Sequence, residues 1–386
     1  MKYYKVRLML LSISILVVIL SLPDCRRDEF VWGTRIGDLT YSEEVVLLGR
    51  EELELLTEVT GDQMVFSSTS DALDLLTNLN IVVAGITEKT PFGLMRKITA
   101  VNKNVNSVIL STTDAILTDI IKEGILTFRV KLKEEDFTLY SKMDGILVTG
   151  NDKAFDGLAI TLEDFELFRN GSVIAMLNGS IGISPEIDLT IKFKANKVTE
   201  VESITTLNKI DELTITSNGP FEGKEELVLA EFSHSPLVFD SLIFVPKVKF
   251  VCGFDGNVAG EVISGVRQDN NIKSVVTFLN SKWVEDPLEH SDIYDFTEPV
   301  LSQNADIEIF SGPEVTLYLF GKPLQNVKST AFFSLLANAS ASPRWRIFIG
   351  GEGKNTIFSN IMGIISDNTS DLTIQSTEIT GAVIRK

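Results

Sequence analysis

The chain has 386 residues, of which 44% are hydrophobic and 23% charged, a composition typical of folded globular proteins with room for two or three domains. Its 53 acidic and 35 basic residues give a formal net charge of -18, which would repel the phosphate backbone of a nucleic acid. Two cysteines and two histidines are too few for a disulfide scaffold, a zinc ribbon or a multi-histidine metal centre.

The N-terminal residues have the order of an export signal. Lys2, Lys5 and Arg7 precede an uncharged apolar stretch over residues 8–22. A membrane-spanning helix needs about 20 apolar residues, which is more than this stretch contains. We therefore predict a signal peptide over residues 1–24, and an uncleaved N-terminal membrane anchor is the alternative.

Cys25 lies directly after the apolar stretch, and Leu22, Pro23 and Asp24 precede it. The segment resembles a bacterial lipoprotein cleavage box, with leucine three places before the cysteine. Asp24 departs from that pattern, which has a small residue next to the cysteine. The resemblance implies lipid attachment at Cys25, and two or three acyl chains would hold the protein on a membrane. We thus expect an exported, lipid-anchored protein of the outer membrane or cell surface, with a secreted protein as the alternative.

The hydrophobic pattern after Cys25 has mainly period two, which is typical of half-buried strands in antiparallel sheets. The clearest alternating segments are residues 187–194, 247–254, 315–320 and 344–349. Asn-Gly and Asp-Gly pairs favour tight hairpin turns, and they begin at Asn170, Asn178, Asn218 and Asp255. We predict a mainly β fold, with an antiparallel sandwich or twisted multi-sheet domain over residues 144–386.

Residues 25–134 have a different pattern, in which strand-like runs alternate with short helix candidates. The runs lie at residues 45–48, 81–84 and 108–111. One predicted helix covers residues 71–79. The other has Thr113 or Asp114 as its N-cap and places Ile116, Leu117, Ile120 and Ile121 on one apolar face before Gly124. We predict a small β-rich module with short helices.

Two groups of residues resemble modules of uncharacterised exported bacterial surface proteins and lipoproteins. In the N-terminal group, the segment Thr90 to Thr99 is followed by a second strand and a short helix up to Gly124. The C-terminal group consists of residues 244–246, 260–265, Trp283, 317–321 and 343–345. The resemblance covers about two thirds of the chain and implies a β-rich architecture and a surface location. It implies no catalytic residue, because the family has no defined activity.

The candidates for chemistry are few. His234, expected in a loop before a strand, and His290 have no second ligand or nucleophile at a suitable spacing. An acidic run is a calcium candidate, although a solvated loop is the simpler interpretation; it contains Glu285, Asp286, Glu289, Asp292, Asp295 and Glu298. The glycine-rich segment 350–354 lacks the spacing of a phosphate loop and predicts a strand end. We expect no metal and no cofactor.

Other candidates suggest binding or packing. Trp32, Trp283 and Trp345 are candidates for stacking on sugar rings, although Trp345 lies in an alternating strand and favours a core position. Cys252 falls on the apolar phase of its strand, which predicts a buried, unreactive thiol.

The sequence favours a non-enzymatic role in binding, adhesion or display at the bacterial surface, with a surface protein or a glycan as partner. The alternative is a glycosidase-like hydrolase of envelope or environmental polysaccharide that uses two carboxylates as acid and base. A cleft with converging carboxylates of perturbed pKa would favour the enzyme.

Overall fold

The computed structural model describes residues 35–36, 38–148, 157–285, 289–338, 340–364 and 368–380. Strands account for 72% and helices for 7% of the described part, which confirms the predicted mainly β class. The predicted signal peptide and Cys25 lie outside the described residues.

The strands are numbered here in chain order. They are β1 (Arg35–Ile36), β2 (Leu39–Tyr41), β3 (Val45–Leu48), β4 (Leu56–Val59), β5 (Gln63–Phe66), β6 (Ile81–Ala84), β7 (Leu94–Asn104), β8 (Ser107–Asp114), β9 (Ile121–Lys131), β10 (Phe137–Lys142), β11 (Ile146–Val148), β12 (Leu158–Asn170), β13 (Val173–Phe193), β14 (Val198–Ser217), β15 (Phe221–His234), β16 (Leu237–Phe239), β17 (Leu242–Val258), β18 (Val262–Leu279), β19 (Lys282–Glu285), β20 (Glu289–Leu301), β21 (Ala305–Leu319), β22 (Lys322–Ala337), β23 (Trp345–Ile357) and β24 (Asn368–Thr380). The helices are α1 (Arg50–Leu55), α2 (Asp71–Leu75) and α3 (Leu117–Ile120), with 3₁₀ turns at Glu134–Asp136 and Ser359–Met362.

These strands form three sheets. The first sheet has ten strands in the order β1-β2-β9-β13-β14-β18-β19, with β12 also on β13, β11 on β12 and β20 on β18. The second sheet has eight strands in the order β10-β15-β17-β21-β22-β23-β24, with β16 on β17. The third sheet has six strands in the order β3-β6-β7-β8-β5-β4. All pairings described in the first two sheets are antiparallel. This architecture confirms the predicted antiparallel multi-sheet fold.

The inner faces of the first and second sheets share one continuous apolar core. Phe128 of the first sheet contacts Phe244 of the second, with ring centroids 4.6 Å apart. Cys252 and its neighbours Phe250 and Phe254 are buried in this core, as their strand phase predicts. Burial of each such phenylalanine contributes roughly 1.5–3 kcal/mol.

A polar layer interrupts this core where β14 and β18 face β22 and β23. The amide of Gln325 accepts from Ser203 Oγ at 3.1 Å and donates to Thr205 Oγ1 at 3.0 Å and to Asn355 Oδ1 at 3.1 Å. Asn355 in turn donates to Ser274 Oγ at 3.0 Å. These buried groups are mutually satisfied, so the network ties the two sheets in one relative register.

A buried ion pair extends the polar layer. Lys209 and Asp211 are two residues apart on β14 and therefore point to the same face, with Lys209 Nζ 2.9 Å from Asp211 Oδ2. Ser311 Oγ of the second sheet donates to the other carboxylate oxygen at 3.3 Å. Burial raises the pKa of the Asp211 carboxyl, against the lowering effects of Lys209 and Ser311. Desolvation thus outweighs the attraction between the two charges.

The third sheet is buried on both faces where β3 pairs parallel with β6. Val45 and Ile81 pack into the large core, whereas Val46 and Val82 belong to a separate core that includes Leu73 of α2. Parallel strands covered on both faces are apolar in both phases, which explains why the sequence of these two strands does not alternate.

The third sheet contacts the second sheet through residues 92 and 93, which precede β7. Lys247 Nζ lies 4.8 Å from the centre of the Phe92 ring. Gly93 has φ +67°, and a Cβ built on it would lie 2.3 Å from Ile243 Cδ1, so this contact requires glycine. Lys322 and Asp114 add an ion pair of 2.7 Å between the sheets.

The predicted N-terminal module, residues 25–134, contributes strands to two sheets. Its strands β3 to β8 form the third sheet, whereas β2 and β9 belong to the first sheet. The domain boundaries at 134 and 144 stay predictions.

Both predicted helices form, but each is shorter than predicted. α2 ends at Leu75 rather than Leu79, and its cap is Ser70, whose Oγ accepts from Leu73 N at 3.2 Å. α3 begins after Ile116, because β8 continues through Asp114 by pairing with β7. The predicted N-cap at Thr113 or Asp114 is therefore wrong, since sheet pairing extends the strand over both residues.

The hairpin predictions hold only in part. Asn170 and Gly171 turn β12 into β13 as predicted, whereas Asn218 and Gly219 link β14 of the first sheet to β15 of the second. The pairs at Asn178 and Asp255 lie inside β13 and β17. Within β13, Gly179 has φ +139° where the pairing with β12 shifts register. Gly256 within β17 also has a positive φ, +132°. Glycine therefore adopts positive φ inside these strands as well as at turns, and the dipeptide signal alone did not distinguish the two cases.

Candidate ligand-binding groove

The outer face of the second sheet carries two aromatic side chains at its centre. Phe310 of β21 and Phe332 of β22 are direct cross-strand partners. Both are half-buried, and their neighbours Ile309 and Phe333 point into the core. The solvent-facing side of an antiparallel sheet is usually polar, so this pair is an exception that needs an explanation.

Gly253 of β17 lies next to this pair and has no side chain. Gly253 is the cross-strand partner of Phe310 on the other side. A Cβ built on Gly253 would lie 2.4 Å from Phe310 Cζ and 2.2 Å from the carbonyl oxygen of Glu225. The Phe310 ring therefore lies against the Gly253 backbone, a close approach that glycine permits. A cavity of about 400 Å³ adjoins the two phenylalanines, and we call it the phenylalanine groove. Its lining includes Phe310, Phe332, Lys224, Glu226, Asp255, Glu308, Lys328, Thr330, Glu352, Gly353 and Lys354.

Two ion pairs line the phenylalanine groove. Lys224 Nζ lies 2.5 Å from Asp255 Oδ2, and Lys328 Nζ lies 2.8 Å from Glu226 Oε1. Both pairs are partly exposed, so each adds little to stability. Their side chains instead fix charged groups at the rim.

Two further carboxylates of the groove lack such a partner. Within the part of the chain that the structure describes, no lysine or arginine nitrogen lies within 4 Å of a carboxylate oxygen of Glu308 or Glu352. Glu308 precedes Phe310 by two residues, and Glu352 pairs with Thr330, which precedes Phe332 by two residues. Because β21 and β22 are antiparallel, the two carboxylates lie on opposite sides of the phenylalanine pair.

The electrostatic environment of Glu308 is unfavourable for its charge. Partial burial raises the pKa of its carboxyl, and the nearby charges of Glu352 and Asp255 raise it further, whereas Lys224 opposes them. Asp255 is the direct cross-strand partner of Glu308. A donor or cation placed between these carboxylates would therefore be stabilised.

This arrangement has the chemistry of a binding surface for a polar ligand with an apolar face. Its volume lies within the range of about 300–1,000 Å³ that is typical of small-molecule sites. The phenylalanine rings offer apolar contact area, and the carboxylates on either side accept hydrogen bonds.

The sequence candidates for chemistry lie elsewhere. His234 is the last residue of β15 and is buried, not part of a loop as predicted. Its Nδ1 donates to the carbonyl oxygen of Ser235 at 2.6 Å, and its Nε2 lies 3.7 Å from Asp136 Oδ2. The ring packs edge-on against Phe137 at 5.0 Å. His290 lies in β20, and its side chain is outside the described residues.

Five of the six residues of the acidic run lie in strands, not in a loop as predicted. Asp295 and Glu298 lie in β20, and Glu285 ends β19, where its carboxylate accepts from Asn368 Nδ2 at 3.2 Å. Asp286 and the side chains of Glu289 and Asp292 lie outside the described residues. The described ranges contain no group of three or more His, Cys, Asp or Glu residues arranged to hold a metal ion.

Trp283 and Trp345 do not line the phenylalanine groove. Trp283 packs on Phe278 with ring centroids 5.0 Å apart, and Trp345 packs on Phe296 at 6.0 Å. Both rings adjoin the main core. Trp32 lies outside the described residues.

The sequence did not predict the groove, although the glycine-rich segment 350–354 contributes to its lining. The glycine-rich residues 350–354 lie in the middle of β23 and do not end it. The strand continues because β22 pairs with it on one side and β24 on the other. Glu352 and Lys354 of this stretch line the groove. A usable signal was present in β21 and β22, where phenylalanine also occupies the outward phase at Phe310 and Phe332.

Comparison with known protein families, with curated proteins and with solved structures finds no match for this chain. None of the helices in the described ranges has both the length and the apolar character needed to span a membrane.

Proposed function

We propose that this chain is an exported, lipid-anchored bacterial surface protein with a non-enzymatic binding role, and that the phenylalanine groove is its binding surface. The signal-like N-terminus and Cys25 support export and anchoring. The acidic composition, with a net charge of -18, favours a partner other than nucleic acid.

The observation that carries the binding role is the outward-facing pair of Phe310 and Phe332 in a charged groove. Core packing does not explain these rings, because the inward phase of both strands already fills the core. An apolar floor with fixed polar groups around it is typical of ligand sites. A glycan is the partner that matches this combination best, since sugar rings have apolar faces and polar edges.

A glycan array tests this proposal. We expect the full chain, solubilised in detergent, to bind at least one class of glycan, and the Phe332→Ser variant to lose most of that binding. Tyr140→Ser is a matched control, because Tyr140 of β10 is an exposed aromatic residue outside the groove. Absence of binding to every glycan, or equal binding by Phe332→Ser, would contradict the proposal.

One observation favours a second candidate, a carboxylate-dependent glycoside hydrolase. Glu308 has a raised pKa and lies across the phenylalanine pair from Glu352, as an acid and a base would flank a sugar chain. This candidate predicts release of reducing ends from a polysaccharide, with loss of that activity in Glu308→Gln. Binding without release of reducing ends supports the first proposal instead.

A further inference from the structure

We propose that the phenylalanine groove takes a saccharide that carries free amino groups, such as a glucosamine oligomer. This inference rests on the proposed function and names the ligand class of the same site. It follows from the charge and the shape of the groove.

The charge of the groove favours a cationic ligand. Four carboxylates and three lysine ammonium groups line it. Two of the lysines are held by Asp255 and Glu226, and the other described charges of the lining are Glu308, Glu352 and Lys354, so four negative and three positive groups leave a net charge of -1. An ammonium group on the ligand would reduce the repulsion between these carboxylates and form charge-assisted hydrogen bonds with them. Aromatic faces also attract ammonium groups.

The shape of the groove favours a saccharide over a lysine-containing peptide. The Phe310 and Phe332 rings lie side by side across two strands, and carboxylates lie on both sides of them. An amino sugar has an apolar ring face with polar groups around its whole edge, so it meets the floor and both carboxylates together. A lysine side chain has an apolar stem and a single polar end, which would engage only one side.

Isothermal titration calorimetry of the full chain in detergent tests the proposal with three probes. These are the hexamer of glucosamine, the hexamer of N-acetylglucosamine and hexalysine, at a pH below the pKa of the glucosamine amines and above the raised pKa of the Glu308 carboxyl. The variants are Glu352→Gln and Phe332→Ser, with Glu202→Gln as the control of equal charge change on the first sheet. Glu352 is exposed, so its substitution leaves folding intact and keeps the test valid if Phe332→Ser misfolds.

We expect the glucosamine hexamer to bind about tenfold more tightly than its N-acetylated form. Loss of one charge-assisted hydrogen bond in Glu352→Gln should weaken binding about tenfold, whereas Glu202→Gln should change it by less than about twofold.

The N-acetylated hexamer could instead bind equally tightly or more tightly, with that binding lost in Phe332→Ser. This result would overturn the amine requirement and leave the groove as the binding surface. Tighter binding of hexalysine would overturn the saccharide assignment. Binding of none of the probes, or binding that neither Glu352→Gln nor Phe332→Ser weakens, would overturn the inference; the glycan array then decides whether the proposed function fails with it.

Discussion

The Lys209 ammonium and the Asp211 carboxylate form a 2.9 Å ion pair in the interior between the two large sheets, where their side chains are 0% and 2% exposed. A charge in that position is stable only with its partner, because isolated buried charges are strongly disfavoured. The effect of each residue on the stability of the fold therefore depends on the presence of the other.

Substitution of one partner should be more harmful than substitution of both. We expect Lys209→Met to reduce the free energy of unfolding by about 3–5 kcal/mol, since Asp211 is left buried and unpaired, and the double variant Lys209→Met/Asp211→Leu to be less destabilised than this single variant. Urea unfolding at neutral pH measures both. The control is Lys249→Met, which removes a partly exposed lysine 3.6 Å from Glu231 and should cost less than about 1 kcal/mol. A double variant that is at least as destabilised as Lys209→Met would contradict this account.

The ion pair between Asp114 and Lys322 should make the attachment of the third sheet sensitive to acid. The hydrogen bond from Lys322 lowers the pKa of the Asp114 carboxyl below its ordinary value. A carboxyl with a lowered folded-state pKa contributes stability above its unfolded-state pKa and loses it as the pH falls through the folded-state pKa.

Lys322→Met should therefore reduce the loss of stability on acidification. Because Asp114 is largely exposed, the difference at neutral pH should be at most about 1 kcal/mol. Thermal unfolding over a series of acidic pH values measures it, with the exposed Lys89→Met as control. An unchanged acid dependence in Lys322→Met would show that the pair has no role in stability.

Cys252 should react only when the protein unfolds. Its side chain is fully buried, and burial raises the pKa of the thiol to about 12, so little thiolate is present at neutral pH. We expect slow alkylation of the Cys252 peptide in the native protein and fast alkylation in denaturant. Mass spectrometry of that peptide separates it from Cys25, and equal rates in the two conditions would contradict the strand phase.

Lipid attachment at Cys25 is tested by the mass of the mature N-terminus. If the export and cleavage signals act as proposed, the first residue is an acylated cysteine and residues 1–24 are absent. Cys25→Ser should release the protein from membranes, or leave residues 1–24 uncleaved. An intact N-terminus in the wild-type chain would instead favour the uncleaved membrane anchor.

Strand phase was predictable from the sequence, because one face of each strand is buried. Val248, Phe250, Cys252 and Phe254 all point into the core as their alternation indicates. Strand length and partner were not predictable. β13 is 21 residues long because its pairing continues past an Asn-Gly pair that by itself favours a turn.

The interior polar layer and the groove were hidden for related reasons. Lys209, Asp211 and Gln325 occupy inward phases normally taken by apolar residues. Lys209 and Asp211 pair with each other on β14, whereas the opposite sheet supplies the hydrogen-bond partners Ser311 for Asp211 and Thr205 for Gln325. Phe310 and Phe332 come together because two strands pair at one particular register. Contacts between the two large sheets join strands far apart in the chain and leave no local pattern in a single sequence. In the hairpin of β21 and β22 the outward phase of both phenylalanines was visible, but their pairing depends on the register.

Hydroxyl-radical footprinting with mass spectrometry tests most directly whether the phenylalanine groove is the binding surface. The full chain is oxidised with and without the glucosamine hexamer, and the oxidation of individual aromatic residues is compared. We predict protection of Phe310 and Phe332 by the oligomer, and no change at Tyr140, which is 80% exposed and lies outside the groove. Bound oligomer with unchanged oxidation of Phe310 and Phe332 would contradict the account.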